Sequence, residues 1–180
     1  MTAGQKKTVL RTVRITQELD TLLRKDADAE NISVNTLISA CLAKYVEWDK
    51  FASRFGFLTV PRVAIRSLFE VIEAEMVAKL GRDLGGQLNK EVLMFWFKKA
   101  NLEALLKIFS LYDKYSGFVK VEIAKELDSY TVVCRHELGE KCSIFLKYYF
   151  TQAFDTLFGI PLKSEISQRE VTFKFRHFLQ

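Results

Sequence analysis

Residues 7–19 read K-T-V-L-R-T-V-R-I-T-Q-E-L and residues 31–38 read N-I-S-V-N-T-L-I. The change of period inside the first stretch decides the fold of the N-terminal part. Over 8–16, Thr, Val and Ile dominate, and Val13 and Ile15 alternate with Thr12, Arg14 and Thr16. That pattern predicts a short strand with one apolar face. From Gln17 the period becomes helical: Leu19, Leu22, Leu23 and Ala27 share one face. Glu18 and Asp20 occupy the first turn, where the helix dipole favours anions, and Thr16 suits the N-cap. Asn31 tolerates the left-handed conformation and marks the stop. Ser33 then caps a second helix whose apolar positions are Val34, Leu37, Ile38, Cys41, Leu42, Tyr45, Val46 and Trp48.

One strand cannot stand alone in water, because its amides need a partner strand. A second copy of the chain supplies one, giving an antiparallel ribbon with four helices beneath it. In order and spacing, residues 6–51 resemble the ribbon-helix-helix family of DNA-binding proteins. The resemblance covers about a quarter of the chain. It implies a homodimer bound to double-stranded DNA, with the ribbon in the major groove and Leu10, Thr12 and Arg14 facing the bases. There Arg14 reaches guanine O6 and N7, and Thr12 hydrogen-bonds or touches a thymine methyl. Lys6 and Lys7 would neutralise phosphates. The amides of Val34 and Asn35, beneath Ser33, would clamp a backbone phosphate.

The charge excess is mild and fits either a solvated basic face or a nucleic-acid partner. The formal net charge is +5, and the first fourteen residues hold Lys6, Lys7, Arg11 and Arg14 with no acid. Hydrophobic residues make up 49% of the 180, and Gly and Pro number only 8 and 2, which argues against long disorder. The longest apolar block, 92–97, is too short to cross a bilayer, so no membrane partner is expected. The basic N-terminus lacks the apolar core of a secretory signal. Three scattered cysteines, an odd number, suit a reducing cytoplasm better than a disulfide framework.

The stretch F-A-S-R-F-G-F-L-T-V-P at 51–61 breaks the helical pattern, with Gly56 and Pro61 as punctuation. The expected division is a DNA-binding and dimerisation module at 1–56 and a sensor or oligomerisation domain at 57–180. From Pro61, the positions Val63, Ile65, Leu68, Phe69, Ile72, Met76, Val77 and Leu80 predict one helix. The tract G-R-D-L-G-G at 81–86 is expected to end it. A second helical stretch spans 89–115 with a break near Asn101, and Ser116-Gly117 stops it. Period-two runs at 118–125 and 129–136 predict a hairpin. An amphipathic aromatic helix follows at 139–158, then a second hairpin from 161–166 and 170–175. The fold class is thus α+β, with antiparallel hairpins packed on helices. In topology, 62–176 distantly resembles the ligand-binding domains grouped with the 4-vinyl reductase and haem nitric-oxide-binding-like fold. That resemblance implies an interior able to hold an apolar small molecule and assigns no functional residue.

The aromatic runs at 95–97 and 148–150 are apolar around more than one helix face. They imply burial against a sister subunit or around an apolar effector, with Trp96 and Phe145 as candidate pocket walls. Cys134, His136 and Cys142 form the one thiol–imidazole group, with ligands soft enough for zinc or copper. No CxxC pair supports it, and burial as small hydrophobes is the stronger reading, so no metal or other cofactor is expected. His136-Glu137 does not begin a zincin motif, because the fourth residue on is Glu140. The glycine tract lacks the GK[ST] of a phosphate loop, and no G-x-S-x-G elbow exists. An enzyme is therefore not expected. The expected function is a homodimeric, site-specific transcriptional regulator. Its rivals are an antitoxin-like or partition-type DNA binder that grips a protein partner, and a metal- or thiol-switched sensor using Cys134, His136 and Cys142.

Overall fold

Thr16 opens the first regular element. The computed structural model describes residues 9–176, apart from the side chains of Gln87 and Leu88; Lys6 and Lys7 lie outside the described residues. The Thr16 hydroxyl accepts the Leu19 amide at 3.2 Å and starts α1 (Gln17–Ala29). The helix stops in a Schellman motif. Asn31 takes φ +54°, its N–H donates to the Asp28 carbonyl, and the Ile32 N–H donates to the Ala27 carbonyl. The Ser33 hydroxyl accepts the Thr36 amide at 3.1 Å and starts α2 (Val34–Lys44). The strand expected over 8–16 is not seen: residues 9–16 form no regular element. An isolated chain offers them no second strand to pair with.

The chain divides into two units, one ending at Tyr45 and one beginning at Val46. That division precedes the punctuation at Gly56, because residues 46–57 pack into the larger unit. The Trp48 ring lies 5.5 Å from that of Trp96 and 5.9 Å from that of Phe57. The Trp96 indole N–H donates to the Glu47 carbonyl at 3.2 Å. The Glu47 carboxylate accepts from Lys114 Nζ at 2.9 Å and from the Tyr115 hydroxyl at 2.6 Å. A π-type turn (Tyr45–Asp49) leads into α3 (Lys50–Phe55).

After α3 come α4 (Arg62–Val71) and α5 (Ala74–Phe97). The single helix expected from Pro61 to Leu80 is therefore two, parted where Ile72 turns extended. A second difference matters more: α5 runs straight through the glycine tract. Its residues Gly81 and Gly85 face the backbone of α7 (Glu140–Phe158). A Cβ at Gly81 would stand 2.7 Å from the Phe145 carbonyl oxygen. The glycines are there so that two helices can touch, and the helix accepts their lower propensity of about 1 kcal/mol each.

Lys98 turns left-handed after α5, and the Asn101 side chain caps α6 (Leu102–Leu111) by accepting the Ala104 amide at 3.0 Å. Gly117, at φ +64°, ends the π-type turn that follows α6. Next come β1 (Lys120–Glu126) and β2 (Ser129–Arg135), joined by a tight turn in which Leu127 has φ +55°. After α7 come β3 (Lys163–Ile166) and β4 (Glu170–Arg176). All pairings are antiparallel, in the order β1-β2-β4-β3.

Alternation along the strands sorts the sheet into two faces. Val132, Cys134, Val171, Phe173 and Phe175 point inward and are buried. Helix α7 ties the layers together. Its Phe150 ring lies 4.7 Å from Phe109 of α6 and 5.3 Å from Phe173 of β4. Each such ring stabilises by roughly 1.5–3 kcal/mol through its burial. Among the described residues, no helix is long and apolar enough to cross a membrane.

Candidate nucleic-acid interface

Leu10, Thr12 and Arg14 all lie in the irregular segment before α1, and all are exposed. Leu10 is 90% exposed, an unusual place for a leucine that nothing covers. The alternate residues Val9, Val13 and Ile15 are 71%, 74% and 41% exposed. Residues of both parities are thus in solvent in the single chain. The local reason is simple: Val13 and Ile15 favour extended backbone, and the helix cannot begin before the Thr16 cap.

The start of α2 lies across the tight turn from the end of α1. Ser33 is exposed, and its hydroxyl serves the Thr36 amide. The amides of Val34 and Asn35 come too early in the helix to have an intrahelical acceptor. Asn35 is exposed and Val34 is half-buried. No basic side chain lies in the first turn of α2. The two helices bury little between them: in α1 and α2 only Ala27 is buried, while Leu19, Leu22 and Leu42 are 44%, 54% and 59% exposed.

The other candidate residues fall in the larger unit. Trp96 sits among Trp48, Phe51 and Phe57, with ring centres 5.3–5.6 Å away. Phe145 instead packs against Phe69 and Tyr149, beside Gly81. From Gly81 to Trp96 along α5 is about 22 Å at 1.5 Å per residue. The two side chains belong to separate aromatic clusters and do not share one pocket.

Cys134, His136 and Cys142 are all buried. Both ring nitrogens of His136 are engaged: Nδ1 accepts the Leu138 amide at 3.2 Å, and Nε2 meets the Ser143 hydroxyl at 2.9 Å. The first bond requires a lone pair on Nδ1, so the ring is neutral with its proton on Nε2. Burial pushes the His136 pKa down, in the same direction. Burial also pushes the Cys134 and Cys142 thiols up to about 12, with their mutual proximity adding to the effect at Cys142. Neutral thiols and an imidazole without a spare lone pair make poor ligands. Among the described residues, no group of three or more His, Cys, Asp or Glu could hold a metal ion.

The sequence carries no sign of one further feature, a concave surface at one end of the sheet where Arg62, Arg135 and Arg169 converge. No family model matches this chain, and no curated protein matches it.

Proposed function

We propose that this chain is a homodimeric, sequence-specific DNA-binding transcriptional regulator acting in the cytoplasm. The observation that carries the reading is the apolar surface its N-terminal unit leaves uncovered. Val9, Val13, Ile15, Leu19, Leu22 and Leu42 are all exposed, in a unit whose two helices bury one alanine. Two helices of this size cannot form a core alone, and covering each such side chain is worth roughly 1.5–3 kcal/mol. A second copy covers them by pairing residues 9–15 into an antiparallel ribbon over four helices. Alternation then turns Leu10, Thr12 and Arg14 outward together. Arg14 reads guanine in the major groove, Thr12 reads beside it, and the free amides of Val34 and Asn35 hold a phosphate. The free state of the cysteines, with Cys41 exposed, suits a reducing compartment.

The test is binding of the full-length protein to its own upstream DNA and to random DNA, across a salt series. Specific binding with a steep salt slope is expected. Arg14→Ala should weaken the specific site by about 1–3 kcal/mol and relax one base position, whereas Lys6→Ala and Lys7→Ala should weaken all sequences alike. Equal affinity of Arg14→Ala and the parent protein for the specific site would overturn the groove assignment.

A further inference from the structure

Antiparallel pairing puts Lys120 opposite Arg135, and Arg135 opposite Glu170, in one row at the end of the sheet. Like charges on facing strand positions repel, so the Lys120–Arg135 pair is not there for stability. Around that row the chain converges from distant places: Arg62 opens α4, Phe118 precedes β1, Glu137 follows β2, and Arg169 lies in the turn between β3 and β4. Together they line a cleft of about 570 Å³. The cleft is broadly open to solvent, so a ligand there would be held by its charged group and not by enclosure.

The cations of the cleft are not equally committed. Arg135 is held by Glu122 and Glu170. Arg62 donates to Glu137 at 2.6 Å and to the Gly117 carbonyl at 3.2 Å, which fixes its fork at the positive end of α4. Lys120 is held loosely: its Nζ donates to the Asp113 carbonyl at 3.4 Å and lies 3.9 Å from the Asp113 carboxylate. Arg169 differs from all of them. Its backbone is pinned, the carbonyl accepting the His136 amide at 2.9 Å and the amide donating to the Ser167 hydroxyl at 3.4 Å. Its guanidinium has no partner among the described residues and is exposed. A fixed backbone carrying an unspent fork of donors is an arrangement suited to a carboxylate or phosphate.

We infer that this cleft binds a small organic anion, its phosphate or carboxylate group gripped by Arg169 with Arg62 and Lys120, its body against the half-buried Phe118. The chemistry is the opposite of the apolar effector expected from the aromatic runs. The site belongs wholly to the larger unit and does not depend on the DNA-binding reading.

The test is calorimetric titration of the full-length protein with three probes: inorganic phosphate, adenosine monophosphate and citrate. Saturable binding of at least one is expected. The preferred probe tells phosphate from carboxylate, and a bare ion from one with an organic body. Arg169→Gln should weaken that binding about tenfold or more, the effect of losing a charged hydrogen bond. Lys147→Gln, a cation on α7 that does not line the cleft, should leave it unchanged. Both substitutions should keep the parent's melting temperature, since neither side chain has a hydrogen-bond or ion-pair partner among the described residues, and the backbone bonds of Arg169 survive its replacement. No saturable binding of any probe up to on the order of 10 mM would overturn the inference. Equal losses in Arg169→Gln and Lys147→Gln would also overturn it, because they would mark diffuse charge attraction.

Discussion

A Cβ placed on Gly85 would stand 2.2 Å from the carbonyl oxygen of Tyr149. No real Cβ approaches backbone so closely, so α5 and α7 touch there main chain to main chain. Gly85→Ala should therefore destabilise the protein by about 3 kcal/mol, at the upper end of what overpacking costs. Gly86 is the internal control. A Cβ there meets only the Gln152 and Thr156 side chains, at 3.6 and 3.9 Å. Gly86→Ala should stabilise by about 0.5–1 kcal/mol through helix propensity. Urea midpoints of the two variants against the parent check both signs.

His136 makes stability depend on pH. Its folded pKa lies below its unfolded value because burial disfavours the charged ring. Protonation at Nδ1 would also break the bond from the Leu138 amide. In the window between the two pKa values the unfolded chain binds more protons, so stability rises with pH there. The contribution is complete above the unfolded value, near 6.5, and is lost as pH falls through the folded one. His136→Gln should remove this component. Denaturation midpoints at pH 7.5 and 5.5 should differ less in the variant than in the parent; an unchanged difference would clear His136 of the role.

The three thiols should separate cleanly in a labelling experiment. Cys41 is exposed, whereas Cys134 and Cys142 are 1% and 0% exposed with thiols pushed up to about 12. A thiolate reagent at neutral pH should modify Cys41 in the native protein and reach the other two only on unfolding. Rapid native labelling of Cys134 or Cys142 would contradict their burial.

Much of the fold was legible because it rests on short-range chemistry. Thr16 and Ser33 are caps and Asn31 is a left-handed stop, each acting within three or four residues, and the break expected near Asn101 is where that side chain caps α6. Both hairpins follow from period-two runs broken by turns. What the sequence concealed depends on partners far along the chain. The glycines of 81–86 look like a helix stop until α7 is laid against them. Val46 and Trp48 read as part of the second N-terminal helix until Trp48 meets Trp96 in the larger unit. The strand expected over 8–16 is not seen: residues 9–16 form no regular element, and a lone strand in one chain has no partner for its amides. At the site, Leu10, Thr12 and Arg14 are exposed, but so are the alternate residues Val9, Val13 and Ile15, and Trp96 and Phe145 fall into different clusters. The cleft had no signature in spacing, since Arg62, Arg135 and Arg169 meet only through the sheet and the start of α4.

Among the described residues, the order β1-β2-β4-β3 leaves β1 and β3 each paired to one strand, with the Val121 amide on the outer edge of β1 donating to the Asp113 carboxylate at 3.0 Å. Such edges invite strands from other molecules. Along β1 the exposed residues include Lys120, Glu122, Lys125 and Glu126, and along the four-residue β3 they include Lys163 and Glu165. An incoming strand would have to strip water from charges of both signs to add itself. Those charges weigh against edge-to-edge pairing and offset the apolar Ile123 and Ile166, which are exposed on the same two strands.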